Sequence, residues 1–258
     1  MVQQLQPETQ AEITYPDSDG QPMADNTKQF RWIVTIKENL EILFAAIADV
    51  FIAGDLFWYP LRGSLHRQAP DVMVVFGRPK GDRGSYKQWE EANIPPQVVF
   101  EILSPGNTVT AMTKKLLFYE RYGVEEYYIY DPDTVELTGL LRNGNNLEEI
   151  ELIDGWVSPR LGIRFVLKED TLEIYFPDNQ RFLTPVELDQ LRQQERQRAE
   201  QERQRAEQER QRAEQESQRA EQESQRAEQA LAQLQQEQQR YQALIERLRE
   251  RGIDPEQV

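Results

Sequence analysis

Cysteine is missing from this 258-residue chain, and with it go disulfides, thiolate zinc sites and thiol catalysis. Histidine is down to a single residue, His66, which rules out a site built on two or more imidazoles. No apolar run approaches the roughly 20 residues of a membrane span, so no membrane partner is expected. The opening residues MVQQLQPETQ lack the basic region and apolar core of a secretory signal, and a soluble cytoplasmic protein is the expectation. Positive charge is also scarce. The formal net charge is −15, which argues against a protein that coats nucleic acid through bulk electrostatics. Residues 1–183 carry 17 basic and 28 acidic groups, and residues 184–258 carry 13 and 17. Contact between the first part and phosphates therefore needs a local basic patch or bridging metal ions.

What is present divides into two regions with different periodicities. From Leu191 to Glu228 the text QERQRAE recurs with a spacing of seven, placing Ala199, Ala206, Ala213, Ala220 and Ala227 in register. The same spacing continues through Leu234, Tyr241 and Leu248, and the companion position holds Leu231 and Ile245. A coiled-coil seam is therefore apolar over 227–248 and weak upstream, where Glu–Arg pairs such as Glu200–Arg203 support a solvated helix. Thr184-Pro185-Val186-Glu187 reads as a helix start, and Gly252 with Pro255 as its end. The expected organisation is a flexible segment at 1–14, a globular domain at 15–183, a long charged helix or coiled coil at 184–252 and a tail at 253–258. A helix of that length reaches about 100 Å at about 1.5 Å per residue. It either stands alone or self-associates through 227–248, with a dimer the simplest outcome.

The first region mixes helix and strand. Residues 30–51 have helical spacing through Ile36, Leu40, Leu43, Phe44 and Ile47. DVMVVFG (71–77), QVVFEIL (97–103) and EEYYIYDP (125–132) are short, β-rich and bounded by Pro, Gly or Asp. A helix pattern over 108–123, closed by Gly123, separates the last two, and shorter strands follow near 135–142, 147–152, 163–167 and 172–176. This order predicts an α/β domain with a mixed sheet. The polar segment 78–96 is long enough to suggest function.

Glu101 stands out because a strand burying both faces has no use for a carboxylate. An ionised one in a dry environment costs several kcal/mol unless it is paired or bound to metal. If the strands of Asp71 and Glu101 are neighbours, both acids reach one edge of the sheet, where a cation would relieve their repulsion. Oxygen ligands without histidine or cysteine suit magnesium or manganese. Lys115, on the helix leading out of the Glu101 strand, could steady an attacking water or offset phosphate charge. Other readings stand beside this one. Glu101 can pair with Lys114 or Lys115 as a structural ion pair, and Asp71 can cap backbone amides in a turn. His66 reads as a loop residue, Tyr119 and Tyr122 as core, and Ser104 as part of a turn with no base nearby.

Pro70-Asp71, FEILSPGNT (100–108), KLLFY (115–119) and YGVEEYYIYDP (122–132) together resemble the Uma family of restriction-endonuclease-like proteins in the PD-(D/E)XK nuclease superfamily. The resemblance spans roughly residues 15–180. It implies a restriction-endonuclease-like mixed β-sheet core flanked by helices, with a site for Mg2+ (or Mn2+) that hydrolyses DNA phosphodiester bonds. Asp71 and Glu101 match the metal-binding acids of that motif, and Lys115 matches a catalytic lysine moved from strand to helix. That displacement accounts for Leu103 standing two residues after Glu101. Two departures matter: Ala111 occupies a place where many relatives carry an acid, and the superfamily's additional N-terminal acid has five competitors, Asp17, Asp19, Glu38, Glu41 and Asp55. The alternative is a catalytically inactive nuclease-fold module that binds or assembles through its C-terminal helix.

Overall fold

The computed structural model describes residues 13–18, 20, 24–250 and 252. Apart from Ile13 and Thr14, the segment expected to be flexible at 1–14 lies outside the described residues, as do Asp19, Pro255 and the tail. The chain forms two compact units, Met1–Asp189 and Gln190–Val258.

The first unit is built on a six-stranded mixed sheet in the order β1-β3-β5-β6-β7-β8. Its strands are β1 (Val50–Gly54), β3 (Val72–Phe76), β5 (Val98–Ile102), β6 (Glu126–Asp131), β7 (Glu136–Asn143) and β8 (Asn146–Glu149). Within this sheet the parallel pair is β5 with β6, and the crossover between them is α2 (Val109–Tyr122). Two short sheets accompany it: β2 (Trp58–Tyr59) with β4 (Tyr86–Lys87), and β9 (Arg164–Leu167) with β10 (Leu172–Tyr175).

Both faces of the sheet are covered, which explains the continuous apolar runs of β3 and β5. One face packs Val72, Val74, Val98 and Phe100 against Ile33, Ile36 and Leu40 of α1 (Thr27–Leu43) and against Phe165, Leu172 and Ile174. The other packs Met73, Val75, Val99 and Tyr127 against Trp58, Tyr86, Phe118 and Tyr119. In β5 alone, Val98, Val99, Phe100 and Ile102 are buried. At about 1.5–3 kcal/mol per buried side chain, they outweigh the cost of taking Glu101 inside with them.

The expected helix over 30–51 is too long. Asn26 caps α1 by accepting from Gln29 N at 2.9 Å, but the helix stops at Leu43. The chain then turns through bonds from Ala45 N to Ile42 O and from Ile47 N to Phe44 O. Val50, Phe51 and Ile52 instead pair with Phe76, Val75 and Val74 of β3. A buried ladder partner overrides the helical spacing, and Ile47, which continued that spacing, is exposed.

α2 begins at Thr108, whose hydroxyl accepts from Ala111 N, and ends at Gly123 with φ 94°. Arg142 on β7 grips that end: its guanidinium donates to the carbonyls of Tyr119, Glu120 and Val124. The polar segment 78–96 is ordered by Glu91, which accepts from both Arg78 and Arg83 at 2.7 Å, and by Tyr86 Oη donating to Ile94 O.

The long helix α3 (Pro185–Glu250) starts at the expected cap. Thr184 Oγ1 accepts from Glu187 N, and Glu187 Oε2 accepts from Thr184 N, a reciprocal capping box. Leu231, Leu234, Tyr241 and Leu244 are exposed on it. Among the described residues, no helix is long and apolar enough to cross a membrane.

Candidate active site

The register of β3 against β5, Val72 to Phe100 and Met73 to Val99, continues by one step to set Asp71 opposite Glu101. Side chains alternate along a strand, so both acids share the face of Met73 and Val99, under α2. Both are buried, Asp71 at 7% and Glu101 at 2% exposure. Asp71 Oδ2 accepts from Ile102 N at 2.6 Å. That bond gives Asp71 the backbone contact expected of a turn acceptor, and it fixes the carboxyl beside Glu101.

α2 completes the site with residues one turn apart. Lys115 Nζ lies 2.6 Å from Glu101 Oε2, and Tyr119 Oη donates to Glu101 Oε1 at 2.5 Å. Lys114 is exposed, so Lys115 is the lysine of the site. Tyr119 is buried and stacks on Trp58 with ring centroids 6.3 Å apart. Trp58 is fixed in turn by its indole N–H donating to Gln88 Oε1 at 3.0 Å. Tyr119 is thus both core, as its spacing suggested, and a direct partner of Glu101. Helical spacing alone does not distinguish these roles. Tyr127 packs edge-on against Tyr119 at 5.0 Å and is fully buried; its hydroxyl has no hydrogen-bond partner among the described residues.

The charges in this pocket perturb one another. Burial first, and then the charge of Glu101, push the Asp71 carboxyl up to about 8. Burial pulls the Lys115 ammonium down, but Glu101, Asp71 and Asp55 outweigh it and hold it above its ordinary value. Burial and the adjacent Glu101 carboxylate raise the Tyr119 phenol well above its usual range.

Of the four competing N-terminal acids among the described residues, Asp55 is the one placed here. It follows β1 with φ 48°, its N–H donates to the carbonyls of Pro70 and Asp71, and its charge acts on both Asp71 and Lys115. Asp17 accepts from Ser85 Oγ, while Glu38 and Glu41 pair with Lys37. Ala111, one turn before Lys115, is exposed and offers no ligand. His66 sits in an exposed loop against Phe118 and Tyr122. Ser104 does have an acid beside it: its hydroxyl donates to Asp25 Oδ2 at 2.5 Å, while Asn107 Oδ1 accepts from Ser104 N. These bonds close the turn between β5 and α2.

Among the described residues, no group of three or more histidine, aspartate or glutamate side chains could hold a metal. Two opposed carboxylates nevertheless fit a hard divalent cation that keeps several waters. A carboxyl pushed up to about 8 by burial and by its neighbour's charge is one that such a cation would relieve.

The model of the Uma2 family, described as "Putative restriction endonuclease", matches residues 3–164. Among solved structures, the chain is similar to "a putative nuclease belonging to DUF820 from Anabaena variabilis ATCC 29413". The two are 19% identical, with a TM-score of 0.41, over 53% of this chain and 74% of the other. No curated protein matches the chain.

Proposed function

Because the chain belongs to the Uma2 family of restriction-endonuclease-like proteins, we propose that it hydrolyses DNA phosphodiester bonds with the help of magnesium or manganese. The observation that carries this reading is the opposed pair Asp71 and Glu101, with Lys115 reaching Glu101 from α2. A cation held by the two carboxylates would supply Lewis acidity toward the phosphate and a more acidic water.

The protein's own groups do the rest. Asp71, whose carboxyl is pushed up to about 8 by burial and by Glu101, would give up its proton in order to hold a cation. Lys115 carries a charge that can turn from Glu101 to the phosphate oxygens, where negative charge builds in the transition state. Tyr119 keeps its bond to Glu101 during that exchange, so the carboxylate stays aimed. Incubating plasmid DNA with the protein in magnesium, in manganese and in EDTA tests the reading. Cleavage is expected with either metal, and none in EDTA or with Asp71→Asn or Glu101→Gln. Variants that cut as well as the native chain would overturn it.

A second reading, an inactive module that binds or assembles, is favoured by Ala111 and by the two protein partners that Glu101 already has. The exposed Leu231, Leu234 and Tyr241 support self-association through α3 in either case. Light scattering should give a multiple of the chain mass, reduced to one chain by Leu231→Glu with Leu234→Glu.

A further inference from the structure

One surface next to the site has no role in the chemistry above. Residues 60–67 form a loop closed by reciprocal backbone bonds between Trp58 and Gln68. Its sequence from Leu61 to Arg67 contains Arg62, His66 and Arg67 and no acid. The His66 ring packs edge-on against Phe118, with centroids 5.0 Å apart, and lies 6.1 Å from Tyr122. The loop therefore runs along α2. Phe118 is about one turn beyond Lys115, so the loop and the site border the same helix.

Lys114 and Arg121 fall on the Phe118 stripe of α2, one on either side of it, and both are exposed. They are separated by about 10.5 Å of helix. Arg67 lies over the Phe57 ring at 4.4 Å, and Arg121 over Tyr122 at 5.6 Å. Among the described residues, none of Arg62, Arg67, Lys114 and Arg121 forms an ion pair. Elsewhere in this unit, several arginines sit on carboxylates, Arg78 and Arg83 on Glu91, Arg160 on Glu125 and Arg181 on Glu187, while Arg142 is taken up by backbone carbonyls. Among the described residues, four cations without an ion pair thus lie on this loop and this helix, in a region that is acidic as a whole. Such a group of cations attracts an anion.

We infer that loop 60–67 and the outer stripe of α2 receive the sugar–phosphate backbone of DNA and guide it to Lys115. The choice of DNA rests on the endonuclease reading; the strip itself does not. Its geometry is that of the local basic patch which an acidic domain needs in order to hold a polyanion.

The test is DNA binding by the full chain in EDTA, where cleavage is absent, using fluorescence anisotropy of a labelled duplex across a salt series. Each phosphate contact contributes about 0.9 to the slope of log affinity against log salt. Arg62→Ala with Lys114→Ala and Arg121→Ala should lower that slope by about 2–3 and weaken binding by about tenfold or more at low salt. Lys28→Ala with Lys168→Ala, which removes two cations that are already ion-paired, should change neither. A native chain that does not bind, or a triple variant with an unchanged slope, overturns the strip. A native chain that binds through the strip yet cuts nothing in magnesium or manganese removes the endonuclease reading and leaves the strip standing.

Discussion

Glu101 and Glu126 are buried carboxylates on adjacent strands of one parallel unit, at 2% and 1% exposure, yet they do opposite things. Glu126 pairs in register with Val98 and so points to the α1 face of the sheet, away from α2. Its direct partners are all neutral donors: Tyr128 Oη at 2.9 Å, Ser158 Oγ, and Arg160 N at 2.6 Å. Burial pushes its carboxyl up, and those three bonds oppose the shift. Glu101 has one neutral donor, one cation and a second acid across the ladder. Burial alone therefore does not mark a reactive carboxylate. What sets Glu101 apart is the like charge opposite it, a repulsion that adds to burial in raising the Asp71 carboxyl.

The largest expected effect comes from the burial of Asp71 and, after it, from that repulsion. Unfolding returns Asp71 from about 8 to its ordinary 3.8. The native state binds the proton more tightly, so the stability conferred by protonated Asp71 is fully present below about pH 4 and is lost as pH rises through about 8. Urea unfolding in EDTA should lose several kcal/mol across that window, at up to about 1.4 kcal/mol per pH unit. Glu126, also raised, adds to the fall at its acidic edge. The difference between the native chain and Asp71→Asn is therefore the quantity to read. If the two profiles run parallel, burial and Glu101 do not raise the Asp71 carboxyl in the folded chain.

Next in size is Glu126→Ala. It strands the donors of Tyr128, Ser158 and Arg160 together and should cost about 3 kcal/mol or more, read by the same unfolding, with any DNA cleavage retained. Glu101→Gln should be the mildest, within about 1 kcal/mol of the native chain in EDTA. The amide still accepts from Tyr119. Lys115, 20% exposed, keeps contact with solvent and the charge of Asp55, and Asp71 loses its repulsive neighbour. A loss as large as that of Glu126→Ala would make both glutamates structural and end the contrast.

Much of this was legible in the residues, and the limits have physical causes. Asp71, Glu101 and Lys115 could be read because β3, β5 and α2 follow strong local patterns, and one register step brings the acids together. The strand Val50–Gly54 was hidden because the helical spacing of α1 runs on through Phe44 and Ile47; only its pairing with β3 decides the matter. The two-residue strands Trp58–Tyr59 and Tyr86–Lys87 have no periodicity to detect. Asp55 could not be told from its competitors, since its place beside Asp71 depends on how β1 lies on β3. Tyr119 was read as core because an aromatic at helical spacing carries no sign of the carboxylate its hydroxyl meets.

Arg142 gives the two ends of α2 different lifetimes. The last-turn carbonyls of Tyr119 and Glu120 are held by a guanidinium from a neighbouring strand, beside the left-handed Gly123. The first turn has the Thr108 side chain, and Val109 there is 85% exposed. A helix anchored at one end opens from the other. Backbone amides near Val109–Thr113 should accordingly exchange with solvent sooner than those around Tyr119. Lys115 lies between the two ends, and the phenol of Tyr119 bonds Glu101 from the anchored side.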